Sequence, residues 1–173
     1  SPLLALKNEY IKSTKPEEKE LIEKRLKSVS FERKKRMTEL AEKDPFAFLA
    51  LTIKKADYDK LPQSVKPEVE QETTLTGTIE VLHIDDFEHP ENSKFEYFLQ
   101  KGTERFNFYH TQNPNLVSGT RVRVNGYRLE NNIIAYIGGQ TFQAFEPLPD
   151  LDSVGDQKTL VFLVNFQDSG PPP

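Results

Sequence analysis

The sequence predicts an α+β chain, with a helical lead followed by a small antiparallel β-barrel. Three observations carry the prediction. Up to about residue 60, apolar side chains recur at helical spacing. From Thr73 the period switches to two, in short runs separated by turn residues. Beyond a stretch rich in Pro and Asp, residues 160–164 then form an unbroken apolar run, the pattern of a strand buried on both faces. The organisation that follows is a helical subdomain and connector over 1–72, a barrel over 73–145, a linker over 146–157, and an orphan strand over 158–173. The orphan strand is expected to be the first of a further domain.

The helical lead has recognisable punctuation. Thr14 precedes Lys15-Pro16-Glu17, a capping box with Pro in the first turn. Leu21, Ile22 and Leu26 follow on one face. Ser30 is placed to cap a second helix whose buried stripe is Phe31, Met37, Leu40 and Ala41. Asp44-Pro45 starts a third, with Asp as cap and Pro at the first helical position. That helix reads PFAFLALTI and is expected to be the most buried of the set. Leu61-Pro62 and Lys66-Pro67 break the pattern and open an extended connector.

Strands are expected near 74–84, 94–101, 104–110, 120–129 and 132–137, with an extra one at 140–145. Phe95, Tyr97 and Leu99 share one face of the second strand, and Phe106 and Phe108 one face of the third. In the fourth, Val122 and Val124 face in while Arg121 and Arg123 face out. Five short strands of this kind suit a small closed barrel, and SGTRVRVNGYRLENNIIAYI is the hairpin type that ends an OB-like barrel.

Composition excludes several functions. The chain has 12 Phe and 6 Tyr, ample aromatic material for a core, and no Cys. Disulfides, thiolate metal sites and a Cys nucleophile are therefore ruled out. No apolar stretch approaches the length of a membrane span, so no membrane partner is expected. Residues 1–72 carry 16 Lys/Arg against 14 Asp/Glu, a net of +2. Residues 73–173 carry 7 against 13, a net of −6. An acidic β-half is a poor phosphate-binding surface, so no nucleic-acid partner is expected.

The chemistry-bearing residues are few. H-E-x-x-H, a Gly-rich phosphate loop and G-x-S-x-G are all missing, and no catalytic constellation is present. His83, His89 and His110 have no metal-ligand spacing. Asp85, Asp86, Glu88 and Glu91 gather on one loop and form a calcium candidate, although the spacing matches no EF-hand. The run Glu32-Arg33-Lys34-Lys35-Arg36 reads as a solvated helix face, against nucleic acid or a processing site. Phe98 and Tyr109 point away from the predicted barrel core. They are ligand-binding candidates able to stack bases or sugars, unless the helices cover that face.

The order of these pieces carries a resemblance. A helical lead containing DPFAFLALTIKKADYDKLPQSVKPEVEQE runs into LTGTIEVLHIDDFEHPENSKFEYFLQ, then LVSGTRVRVNGYRLENNIIA, a linker, and KTLVFLVNFQD. From about Glu39 to Asp168 this resembles the N-terminal region of secreted bacterial zinc metallopeptidases of the gametolysin type, within the metzincin group. The resemblance implies a pro- or accessory segment that aids folding, shields the active site or positions substrate. The implied partner is a downstream peptidase domain of the same precursor, which would hold the zinc. No cofactor is expected in this chain, and the implied location is secreted, periplasmic or extracellular. No catalytic or zinc-binding residue carries over. Some metzincin precursors block their zinc with a propeptide Cys, which this chain lacks. Asp150, Asp152 and Asp156 are the nearest substitutes and, with Pro149, mark a processing linker. The reading from a different class is an OB-type binding module for single-stranded nucleic acid or oligosaccharide. A structural or adhesive domain of a larger surface protein is a third.

Overall fold

The computed structural model describes residues 1–138 and 141–145. Four helices come first: α1 (Pro2–Lys12), α2 (Pro16–Lys43), α3 (Pro45–Ala50) and α4 (Lys55–Tyr58). Six strands follow: β1 (Gln71–Ile84), β2 (Lys94–Lys101), β3 (Glu104–His110), β4 (Arg121–Leu129), β5 (Asn132–Ala135) and β6 (Phe142–Ala144). They form one six-stranded, mostly antiparallel sheet, so the α+β class holds. The expected linker, with Pro149, Asp150, Asp152 and Asp156, and the expected strand over 158–173 lie outside the described residues.

The helices depart from expectation in four ways. Ser30 does not start a new helix. No Gly or Pro interrupts residues 17–43, so once nucleated α2 propagates through for 28 residues. Thr14 does not cap it either: the N-cap is Lys15, without a side-chain bond, while Ser13 Oγ donates to Glu18 at 2.8 Å. Pro16 does take the first turn as expected. The third departure is α3, which is short and only half-buried. Phe48 and Leu49 are inside, but Phe46 and Leu51 are exposed. Its cap behaves as read, with the Ala47 amide donating to Asp44 Oδ1 at 2.9 Å. Leu21 and Phe31, expected in the buried stripes, are exposed as well.

The strand expectations hold closely. Val122 and Val124 are fully buried and Arg121 and Arg123 exposed, in the predicted alternation. β1 serves two partners. It pairs with β4 from Gln71↔Arg128 to Thr78↔Arg121, then with β2 from Thr78↔Gln100 to Ile84↔Lys94. β2 pairs with β3, β3 runs parallel to β5, and β4 pairs with β5 and then β6.

Three apolar clusters result. Inside the sheet, Leu75, Ile79, Leu99, Phe106, Phe108, Val122, Val124 and Ile133 pack together. A second cluster joins α1, α2 and the connector through Leu3, Leu26, Leu61 and Val65. There Lys7, itself buried, pairs with Asp57 and ties α1 to α4. The third lies between the helices and the other face of the sheet, where Met37, Ala41, Phe48 and Leu49 meet Leu129 and Ile134. β5 is therefore buried on both sides.

Ion pairs lock the same interface. The Glu70 carboxylate is 1 % exposed. It takes both guanidinium nitrogens of Arg33 and the amide of Ile53, the last at 2.8 Å. Lys34 reaches Glu68 and Glu130, each at 2.7 Å. Two members of the basic run thus hold α2 to the connector and the sheet, and are not merely a solvated face. No helix among the described residues is long and apolar enough to cross a membrane.

Candidate functional site

The site follows from a change of partner in β3. The β2–β3 ladder begins at Lys101↔Glu104 and ends at Phe98↔Asn107. From Asn107 onward β3 pairs in parallel with β5, ending at His110↔Ala135. The switch is secured by the Asn107 side chain, which donates to Asn132 Oδ1 at 2.8 Å, and by its amide, which donates to the Asn131 carbonyl at 2.8 Å. Residues 94–97 of β2 stay with β1 instead. The two strands part, and a cleft of ≈ 300 Å³ opens between them. Glu42 and Pro45, where α2 gives way to α3, also line it.

Period two decides which side chains meet there. Lys94, Glu96 and Phe98 alternate along one face of β2, and Asn107 and Tyr109 along the matching face of β3. Lys94 Nζ lies 2.8 Å from Glu96 Oε1. That bond to Glu96 holds the lysine above its ordinary pKa, with Glu42 and Tyr109 adding at longer range. Burial raises the Tyr109 phenol, and the charges of Glu42 and Glu96 raise it further. Glu42 itself makes no ion pair or hydrogen bond among the described residues.

His110 also lines the cleft. Its ring packs edge-on to Tyr97, with centroids 4.8 Å apart, and near Phe108 at 5.7 Å. Burial holds the imidazole below its ordinary value of 6.5, opposed in part by backbone groups of Gln112 and of His110 itself. Its Nδ1 is shut from solvent and has no hydrogen-bond partner among the described residues.

Both ligand-binding candidates, Phe98 and Tyr109, line this cleft, but neither offers a bare ring. The Arg105 guanidinium lies 3.6 Å from the centroid of Phe98. Glu80 holds it there through bonds of 3.0 and 3.2 Å. Tyr109 packs against the helix–sheet cluster.

The acidic loop is not drawn into a cage. Asp86 accepts from the amides of His89 at 2.9 Å and Glu88 at 3.1 Å, and from Asn92 Nδ2 at 3.3 Å. These donors, the His89 amide foremost, hold its carboxyl below the usual range. Asp85 faces His83 at 3.3 Å, and Glu91 faces His89 at 3.7 Å. Among the described residues no group of three or more His, Cys, Asp or Glu gathers to hold a metal, Asp85, Asp86, Glu88 and Glu91 included.

Sequence reasoning missed Glu42, Lys94, Glu96 and His110 as a group. Part of a signal existed, because residues 94, 96 and 98 must share a face once β2 is a strand. Nothing local announced that β3 would leave β2 for β5. No protein-family model matches the chain, nor does any curated protein or solved structure.

Proposed function

We propose that this chain is the non-catalytic N-terminal pro- or accessory region of a secreted zinc metallopeptidase of the gametolysin type. In this role it is a preassembled scaffold that aids folding, shields the active site or positions substrate for a downstream domain. The succession of pieces carries the reading: a helical lead, a β-unit, a Pro- and Asp-rich stretch and then KTLVFLVNFQD. Two structural features support it. The pairings β1–β2–β3–β5–β4–β1 return to their starting strand, which favours an OB-like barrel for the β-unit. The helices pack on the outside of that unit through Phe48, Leu49, Leu129 and Ile134, so lead and β-unit form one body able to act as a folding template.

The described histidines do not fit a zinc site. His83 and His89 face single carboxylates and His110 is packed among rings. The reading therefore assigns the metal to the downstream domain, and this chain performs no step through it. The test is the coding sequence beyond Pro173. An in-frame H-E-x-x-H supports the proposal, and a stop codon or a domain without a zinc motif overturns it. The cleft between β2 and β3 favours a second reading, an OB-type binding module. It predicts saturable ligand binding by the isolated chain.

A further inference from the structure

Residues 94–97 of β2 have β1 on one side and no strand on the other among the described residues. A strand edge left open in this way is a template for a further strand. Beside it lies the ≈ 300 Å³ cleft, at the small end of the range for ligand sites. Its charges are two carboxylates, Glu42 and Glu96, against one ammonium, Lys94. Lys94 is bonded to Glu96, and Glu42 makes no ion pair among the described residues.

We infer that this cleft binds an extended peptide, added as a strand along the free edge of β2, with a basic side chain of the peptide paired to Glu42. Backbone pairing supplies affinity in such strand addition, and a side-chain pocket supplies selectivity. A guanidinium suits the pocket, because its planar fork can pair with a carboxylate through two hydrogen bonds. His110 lines the same cleft and has a buried Nδ1 without a hydrogen-bond partner among the described residues. The competing ligand classes fit less well. Nucleic acid meets two carboxylates, Glu42 and Glu96, against a single ammonium. A sugar or base finds its stacking platforms taken, Phe98 by Arg105 and Tyr109 by the helix–sheet cluster. The cleft requires nothing of a downstream domain.

The test uses the whole chain and a blocked heptapeptide alternating threonine and valine around a central arginine. Two controls replace that arginine with alanine, or methylate alternate backbone nitrogens. Amide NMR shifts are followed during titration, with a neutral oligosaccharide and oligothymidylate as further arms. Saturable binding of the arginine peptide is expected, with shifts concentrated at residues 94–98 and 107–110. The alanine peptide should bind about tenfold more weakly, the loss of one charge-assisted contact. The methylated peptide should not bind. Glu42 is exposed, so Glu42→Gln folds normally and should abolish the preference for arginine. Failure of the peptide to saturate, equal binding by the methylated peptide, an arginine preference that survives Glu42→Gln, or shifts elsewhere on the molecule would each overturn the proposal. So would binding of the sugar or the oligonucleotide at these residues in place of the peptide.

Discussion

At the scale of single residues, two buried polar groups control stability in opposite ways. Glu70 is satisfied, with Arg33 and the Ile53 amide filling its acceptor sites. Removing Arg33 strands a carboxylate inside the protein, so Arg33→Met should cost about 3–5 kcal/mol in urea unfolding. Adding Glu70→Gln to that variant should recover part of the loss, because the amide keeps an acceptor for Ile53 and carries no charge. An additive double variant would show that the pair does not couple. His110 is the unsatisfied case. Its folded pKa lies below 6.5, so near that pH the unfolded chain binds a proton that the folded chain refuses. Stability is full above 6.5 and is lost as the pH falls from there toward the depressed folded value. His110→Asn should flatten this acid limb in unfolding midpoints measured across 6.5; an unchanged slope would assign the limb to other groups. Neither residue was legible in advance. Glu70 is one of many charged residues in its stretch, and nothing in its neighbours marks it for burial.

At the scale of elements, α2 and the close contacts between strands set the geometry. Ser30 lies in the middle of α2, fully buried, with its Oγ unpaired among the described residues. Ser30→Ala should therefore stabilise the protein by about 1 kcal/mol, from better helix propensity and removal of an unsatisfied hydroxyl. Thermal unfolding checks the sign. β1 and β4 each carry a glycine where another backbone presses in. A Cβ on Gly77 would run into the Gln100 carbonyl oxygen, and one on Gly126 into that of Ile134. Alanine at either position must push a neighbouring strand away, so each variant should lose about 1–3 kcal/mol. Amide shifts should change at residues 99–100 for the first and 134–135 for the second. The strands themselves were legible from alternation, because a side-chain period of two is local. Their close approaches at Gly77 and Gly126 were not, since a glycine in a strand pattern does not say which backbone will approach it.

At the scale of the whole molecule, the helical lead and the sheet share a core. Phe48 is fully buried at that junction, with Leu129 and Ile134 across from it. Phe48→Ala should cost about 3–5 kcal/mol. Hydrogen exchange should rise in α3 and β5 together, and a rise in α3 alone would mean that the lead and the sheet unfold separately. By itself the sequence determined the α+β class, the strand positions, the inward valines of β4 and the start of α3 at Asp44. Each of these rests on periodicity or capping, which neighbouring residues decide. Only the tertiary structure decided that α2 runs unbroken past Ser30, and that Leu21 and Phe31 face solvent while Arg33 reaches Glu70. It also decided that Lys94, Glu96, Tyr109 and Glu42 meet at one cleft. Those outcomes depend on which surfaces come together across long stretches of chain. The cleft exists because β3 exchanges β2 for β5 at Asn107, a choice made by partners 25 residues apart, out of reach of any local pattern.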